Sequence, residues 1–223
     1  MALIKKNKNR KSTGAYKRLV GNQQIADLMT AFHAAAICNG NQVSDKLIVS
    51  YEGELPIYKG KEVNTPNKTL KVIEKNPNGV IIFGGYISYS NENRKEKKQE
   101  VDVIVFVDGI FYCYEIKDGD NLDTKKSKSE IDVIESFMKY FSQKGKKVEV
   151  GLISVNMENG KHQIKDKRIN DYIISGLDFC DKFEFNFNKF LNLQIDEQPY
   201  NELFVIKEME NIISEHNKKN NKK

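Results

Sequence analysis

Residues 101–117 read VDVIVFVDGIFYCYEIK. Two runs rich in β-branched and aromatic residues, 101–107 and 110–117, flank the pair Asp108-Gly109. Both central residues of a type I′ turn need positive φ, and Asp-Gly supplies that at low steric cost, so the stretch predicts a two-residue β-hairpin. The turn sets the register: with Val107 opposite Ile110, Ile104 faces Cys113, Asp102 faces Glu115 and Glu100 faces Lys117. Side chains alternate with period two, which puts Glu100, Asp102, Glu115 and Lys117 on one face at one end of the hairpin. Asp102 directly against Glu115 is a destabilising like-charge pair unless something compensates it. A divalent cation bound through oxygen would, and Mg²⁺ suits one or two carboxylates together with water and substrate phosphate. Lys117, two residues along the same face, can orient or deprotonate a water, or stabilise negative charge developing on phosphorus. The chemistry these residues suggest is phosphodiester hydrolysis.

Outward from the hairpin, an apolar run at 80–89 and a charged loop at 91–98 precede it, and a helical pattern follows. Ser127-x-x-Glu130 reads as a capping box, and Ile131, Ile134, Phe137, Met138 and Phe141 recur at spacings of three and four before Gly145. Another apolar run at 148–157 completes a β-β-β-α-β core. The fold class expected is therefore α/β or α+β, a central mixed sheet flanked by helices. Tyr16 to Ile37 predicts a helix that Asn39-Gly40-Asn41 ends. Residues 43–78 give turn signals and a short amphipathic segment around Leu70 to Glu74, without a firm assignment. A final helix is expected near 200–213, after an apolar stretch around 172–190.

The motif Asp102, then Glu115-Ile116-Lys117 thirteen positions on, resembles the PD-(D/E)xK nuclease superfamily. Val101 stands where the motif has proline. The likeness continues through Glu115-Ile116-Lys117-Asp118-Gly119-Asp120-Asn121-Leu122-Asp123-Thr124-Lys125-Lys126, which is similar to the ExKxGxxLDxKK stretch of certain type II restriction endonucleases. It covers about a third of the chain, roughly 79–157. What it implies is a restriction-endonuclease-like fold and a Mg²⁺-dependent endonuclease cutting duplex DNA at a short specific sequence. Asp102 and Glu115 would hold the metal, with the Ile116 backbone carbonyl, and Lys117 would position the water. Glu100 is either a further metal ligand or an ion-pair partner of Lys117. The alternatives are a superfamily nuclease of another role (repair, junction resolution or mobile-element processing) or a non-catalytic nucleic-acid-binding protein with an inert charge cluster. A palindromic target would imply a homodimer, with one site per strand.

Charge qualifies the DNA reading. The 223 residues carry a net +5, but residues 1–18 hold seven basic groups and 216–223 four more; removing these +11 leaves the body, 19–215, at −6. Basic surface in the body must be local. Lys125, Lys126 and Lys128, at the start of the helix after the second hairpin strand, are candidates for phosphate contact, as are Arg94 and Lys97 in the charged loop. Asp118, Asp120 and Asp123 read as turn residues and caps, and Asp27 as a solvated helix residue. The tails, about 1–13 and 216–223, are too polar to bury anything and are expected to be disordered arms on a single domain. No apolar run is long enough to span a membrane, no secretion signal is evident, and Cys38, Cys113 and Cys180 lack disulfide or zinc spacing, so a cytosolic location is expected. His33, His162 and His216 have no partners at metal-binding spacing. No phosphate-binding glycine loop or G-x-S-x-G elbow occurs, so nucleotide cofactors and common hydrolase chemistries are not expected.

Overall fold

The structure is a computed structural model, and it describes residues 15–90, 96–117, 124–155, 171–196 and 198–220. In chain order these are α1 (Ala15–Val20), α2 (Gln23–Ser50), β1 (Ile57–Lys59), a short 3-10 turn (Gly60–Glu62), α3 (Pro66–Lys75), β2 (Gly79–Ser90), β3 (Glu96–Val107), β4 (Ile110–Lys117), α4 (Thr124–Gln143), β5 (Lys147–Ser154), β6 (Ile173–Ser175), α5 (Gly176–Lys182), α6 (Phe187–Ile195) and α7 (Gln198–Asn220). The chain divides into two compact units, one of residues 1–46 with 188–223 and one of residues 47–187.

The second unit contains a six-stranded mixed sheet in the order β1-β2-β3-β4-β5-β6. Its centre, β2-β3-β4, is antiparallel, while β1 joins β2, β5 joins β4 and β6 joins β5, all in parallel. The β3-β4 turn has the expected form: Asp108 and Gly109 sit at φ 52° and 75°, and Val107 pairs with Ile110. α4 makes the crossover between the parallel strands β4 and β5, and its buried Phe137, Tyr140 and Phe141 pack with Val72 and Ile73 of α3, Ile82 of β2, Ile104 of β3 and Cys113 of β4. Elsewhere in the unit an aromatic set forms, in which Phe179 of α5 and Phe183 just after it meet Tyr114 and Phe179 stacks on Phe185. Burial on this scale, several fully covered aromatic and branched side chains at about 1.5–3 kcal/mol each, holds the sheet together.

Several boundaries differ from the sequence reading. The early helix does not stop at Asn39-Gly40-Asn41; it breaks earlier, at Gly21 (φ 66°), and restarts with the Asn22 Oδ1 accepting from the Gln24 and Ile25 N–H groups. α2 then runs to Ser50, because Val43 and Leu47, four apart and both buried, continue its apolar stripe beyond the weak helix formers. The charged residues from Glu96 to Lys98 are strand rather than loop: Ser90↔Glu96, Tyr89↔Lys97 and Ser88↔Lys98 extend the β2-β3 ladder. α4 begins at Thr124, three residues ahead of the capping-box Ser127. It ends as expected at Gly145 (φ 64°), with Lys146 N–H donating to the Phe141 carbonyl and Gly145 N–H to that of Ser142, a Schellman closure. In the mixed stretch, α3 is capped by Thr65, whose Oγ1 accepts the Lys68 N–H, with Pro66 at the first helical position. α7 continues to Asn220, so the C-terminal basic arm is helical over most of its length; the N-terminal arm, 1–13, lies outside the described residues. Among those described, no helix is long and apolar enough to cross a membrane.

Candidate active site

In a two-residue hairpin the residues flanking the turn exchange backbone hydrogen bonds, and every second pair after them does the same. From Val107↔Ile110 that rule passes through Val105↔Tyr112 and Val103↔Tyr114, the last pair of the β3-β4 ladder. The next such pair would be Val101 with Ile116. There the Asp102 side chain intervenes: its Oδ2 accepts the Ile116 N–H at 2.8 Å. A carboxylate thus substitutes for a main-chain carbonyl, binding the end of β4 while its remaining acceptor capacity stays with the side chain.

Glu115, beside that contact on β4, is 8% exposed, an unusual burial for a carboxylate. Lys117 Nζ lies 3.8 Å from Glu115 Oε2, with the two side chains 23% and 11% exposed. Parallel pairing with β5 fixes this strand from the other side, through Glu115↔Leu152 and Lys117↔Ser154, and the Val155 N–H donates to the Lys117 carbonyl at 3.1 Å. Asp102 and Glu115 are therefore carried on adjacent strands, with the Ile116 main chain between them and an amine next to the second.

Glu100 is differently engaged. Its Oε2 accepts from the Tyr86 hydroxyl on β2 at 2.9 Å, and this bond to a carboxylate is the main reason the Tyr86 phenol is raised above its ordinary value. Glu100 is exposed. Among the described residues, no three His, Cys, Asp or Glu side chains are gathered so as to enclose a metal ion. The donor set at the hairpin end is thus two carboxylates, which fits a hydrated, hard cation completing its shell with water and phosphate oxygen, and does not fit a closed structural site.

Of the candidate DNA contacts, Arg94 lies outside the described residues; Lys97 is on β3 and Lys125, Lys126 and Lys128 are on α4, but their side chains are outside those described, as are Asp118, Asp120 and Asp123 entirely. Asp27 accepts from Gln23 Nε2 on its own helix at 2.8 Å, and His216 is exposed on α7. Two features escaped the sequence reading. Ser154, buried on β5 opposite Lys117, is the polar end of an apolar run, which is the signal that could have drawn attention to it. Gly84-Gly85, in the middle of the run at 80–89, marks a strand irregularity: Gly84 has φ 64°, and the β2-β3 pairs Phe83↔Val103 and Gly85↔Val101 flank the position opposite Asp102.

No family model matches the chain. It is similar to the Type II restriction enzyme HhaII of Haemophilus parahaemolyticus, with 27% identity over 209 residues, 87% of each protein. Among solved structures, a match to the small subunit of the heterodimeric restriction endonuclease R.BspD6I covers 66% of this chain and 88% of that one, with 12% identity and a TM-score of 0.28.

Proposed function

We propose that this protein is a restriction endonuclease of the type II class, hydrolysing phosphodiester bonds of duplex DNA at a short specific sequence with Mg²⁺. The observation that carries the reading is the hairpin end, where Asp102, bonded to the Ile116 N–H, and the largely buried Glu115 with Lys117 at 3.8 Å come from adjacent strands. The similarity along most of the chain to a protein named as a type II restriction enzyme supports it independently.

In this reading Asp102 and Glu115, with the Ile116 carbonyl, hold Mg²⁺. The bound cation supplies Lewis acidity toward a phosphate oxygen and acidifies water. Lys117, an ammonium beside Glu115, orients the attacking water and balances the charge developing on phosphorus, while the water's proton leaves to solvent as the new P–O bond forms and the bond to the leaving oxygen breaks. Its nearness to Glu115 fixes it in direction. Lys97, Arg94, Lys125, Lys126 and Lys128 contact DNA phosphate, the last three at a helix start where N–H groups and dipole favour anions.

The reading includes a homodimer. Of ten large apolar side chains exposed among the described residues, five lie on α7: Tyr200, Leu203, Ile206, Met209 and Ile213. That helix has 23 residues, about 34 Å of length.

The test is incubation of the purified protein with unmethylated phage-sized duplex DNA, with Mg²⁺ or with EDTA. Discrete fragments that require Mg²⁺ are expected, and sequencing their ends gives the target. A Mg²⁺-dependent smear would overturn sequence specificity, and intact DNA under every condition would overturn the nuclease reading.

A further inference from the structure

Glu100 is solvent-exposed, yet one of its oxygens accepts from the Tyr86 hydroxyl and the other lies over bare backbone at Gly84. Gly84 lies across from Asp102 in the β2-β3 register and adopts φ 64°, a conformation that costs other residues about 1–2 kcal/mol. A Cβ placed there would stand 3.2 Å from Glu100 Oε1. The bare backbone at Gly84 therefore leaves room for the Glu100 carboxylate on the side of β3 that neighbours Asp102. Two residues on, the Tyr86 N–H donates to Thr69 Oγ1 at 3.0 Å, and Thr69, buried on α3, in turn donates to the Val63 carbonyl at 3.0 Å. The strand carrying Tyr86 is thus pinned to buried structure, and from that anchor the hydroxyl reaches Glu100 Oε2 at 2.9 Å.

An exposed hydrogen bond of this kind contributes little to folding, about 1 kcal/mol. Holding a third negative charge near Asp102 and Glu115 works against folding in the absence of a cation. What the arrangement does serve is a hydrated cation, whose water ligands need fixed acceptors beyond the carboxylates that touch the ion. We propose that Tyr86 is a positioning residue of the candidate active site: it holds Glu100 as an acceptor for cation-bound water, so that Glu100 strengthens metal binding without being a direct ligand. The inference rests on the cation reading given above.

The experiment is a titration of the full-length protein with Mn²⁺, following the free ion by electron paramagnetic resonance, with and without duplex DNA. It compares the wild type with Tyr86→Phe, Glu100→Gln, their double variant and Asp102→Asn. Tyr86→Phe and Glu100→Gln are each expected to weaken Mn²⁺ binding about 10-fold or more. The double variant should be no worse than the weaker single, because both remove one arrangement. Thermal melts within a few degrees of wild type are expected for both, since the substitutions keep shape and bury nothing new. Wild-type affinity in Tyr86→Phe and Glu100→Gln, with loss in Asp102→Asn, would overturn the inference and leave the cation site standing. A loss in Tyr86→Phe that Glu100→Gln does not share would also overturn it. A wild type that binds no Mn²⁺, or an Asp102→Asn variant that binds as well as wild type, would overturn both the inference and the cation site.

Discussion

In the proposed reading Asp102 both ties down the end of β4 and holds the cation, and a pair of substitutions divides the two roles. Its Oδ2 satisfies the Ile116 N–H. Asparagine keeps a side-chain carbonyl for that donor and loses only the charge, so Asp102→Asn should melt close to wild type while cleaving DNA at least 100-fold more slowly. Alanine leaves a partly buried N–H without its acceptor, and Asp102→Ala should lose about 1–3 kcal/mol of stability as well, read by urea denaturation. The cysteines give a second residue-level check. Burial pushes the Cys113 thiol up, and burial followed by the Asp181 charge pushes that of Cys180 up to about 12. Thiolate is the reactive form, so in a Cys38→Ser background both should resist a disulfide reagent at pH 8 until the protein unfolds. The sign for stability follows: each group favours the fold fully below the unfolded thiol value of about 8.5, and that contribution is lost as pH rises toward the folded value.

At the level of elements, the kink in β2 and its support by α3 are the features on which the geometry around Glu100 depends. Thr69→Val is nearly isosteric but removes the acceptor for the Tyr86 N–H, and should cost about 1–3 kcal/mol in urea denaturation; an unchanged stability would show that the strand is not anchored there. The elements differ in how legible they are from sequence, and the reasons are local. Asp108-Gly109 has one comfortable hairpin geometry, so it dictated the register through Val103↔Tyr114 and brought Asp102 and Glu115 to one end. The helix closure at Gly145 was equally readable, because a single left-handed residue makes it. Asn39-Gly40-Asn41 misled because local propensity yields to the burial of Val43 and Leu47 further on. The Tyr86–Glu100 contact could not be read at all: Tyr86 lies fourteen residues from Glu100, on a strand whose register passes through a glycine kink. Simple alternation places Glu100 toward Lys117 on the β4 side, where the ladder ends at Val103↔Tyr114, and gives no hint of its neighbour on the β2 side, Tyr86.

At the scale of the whole molecule, apolar burial holds the sheet, and the proposed reaction adds a need for Mg²⁺ and a twofold assembly. Leu203→Glu with Ile213→Glu, on the exposed side of α7, should shift the protein from dimer to monomer in analytical ultracentrifugation with helical content unchanged; a dimer that persists would locate the interface elsewhere. EDTA should stop cleavage and lower the melting temperature by only a few degrees, because apolar burial holds the sheet and a bound cation adds only its own binding free energy. The most direct test of the central claim is a comparison of wild type and Lys117→Ala, measuring DNA cleavage with Mg²⁺ and DNA affinity in parallel. The account predicts a fall in cleavage of about 10² to 10⁴ with affinity changed by no more than a few-fold. Cleavage at the wild-type rate by Lys117→Ala would contradict it.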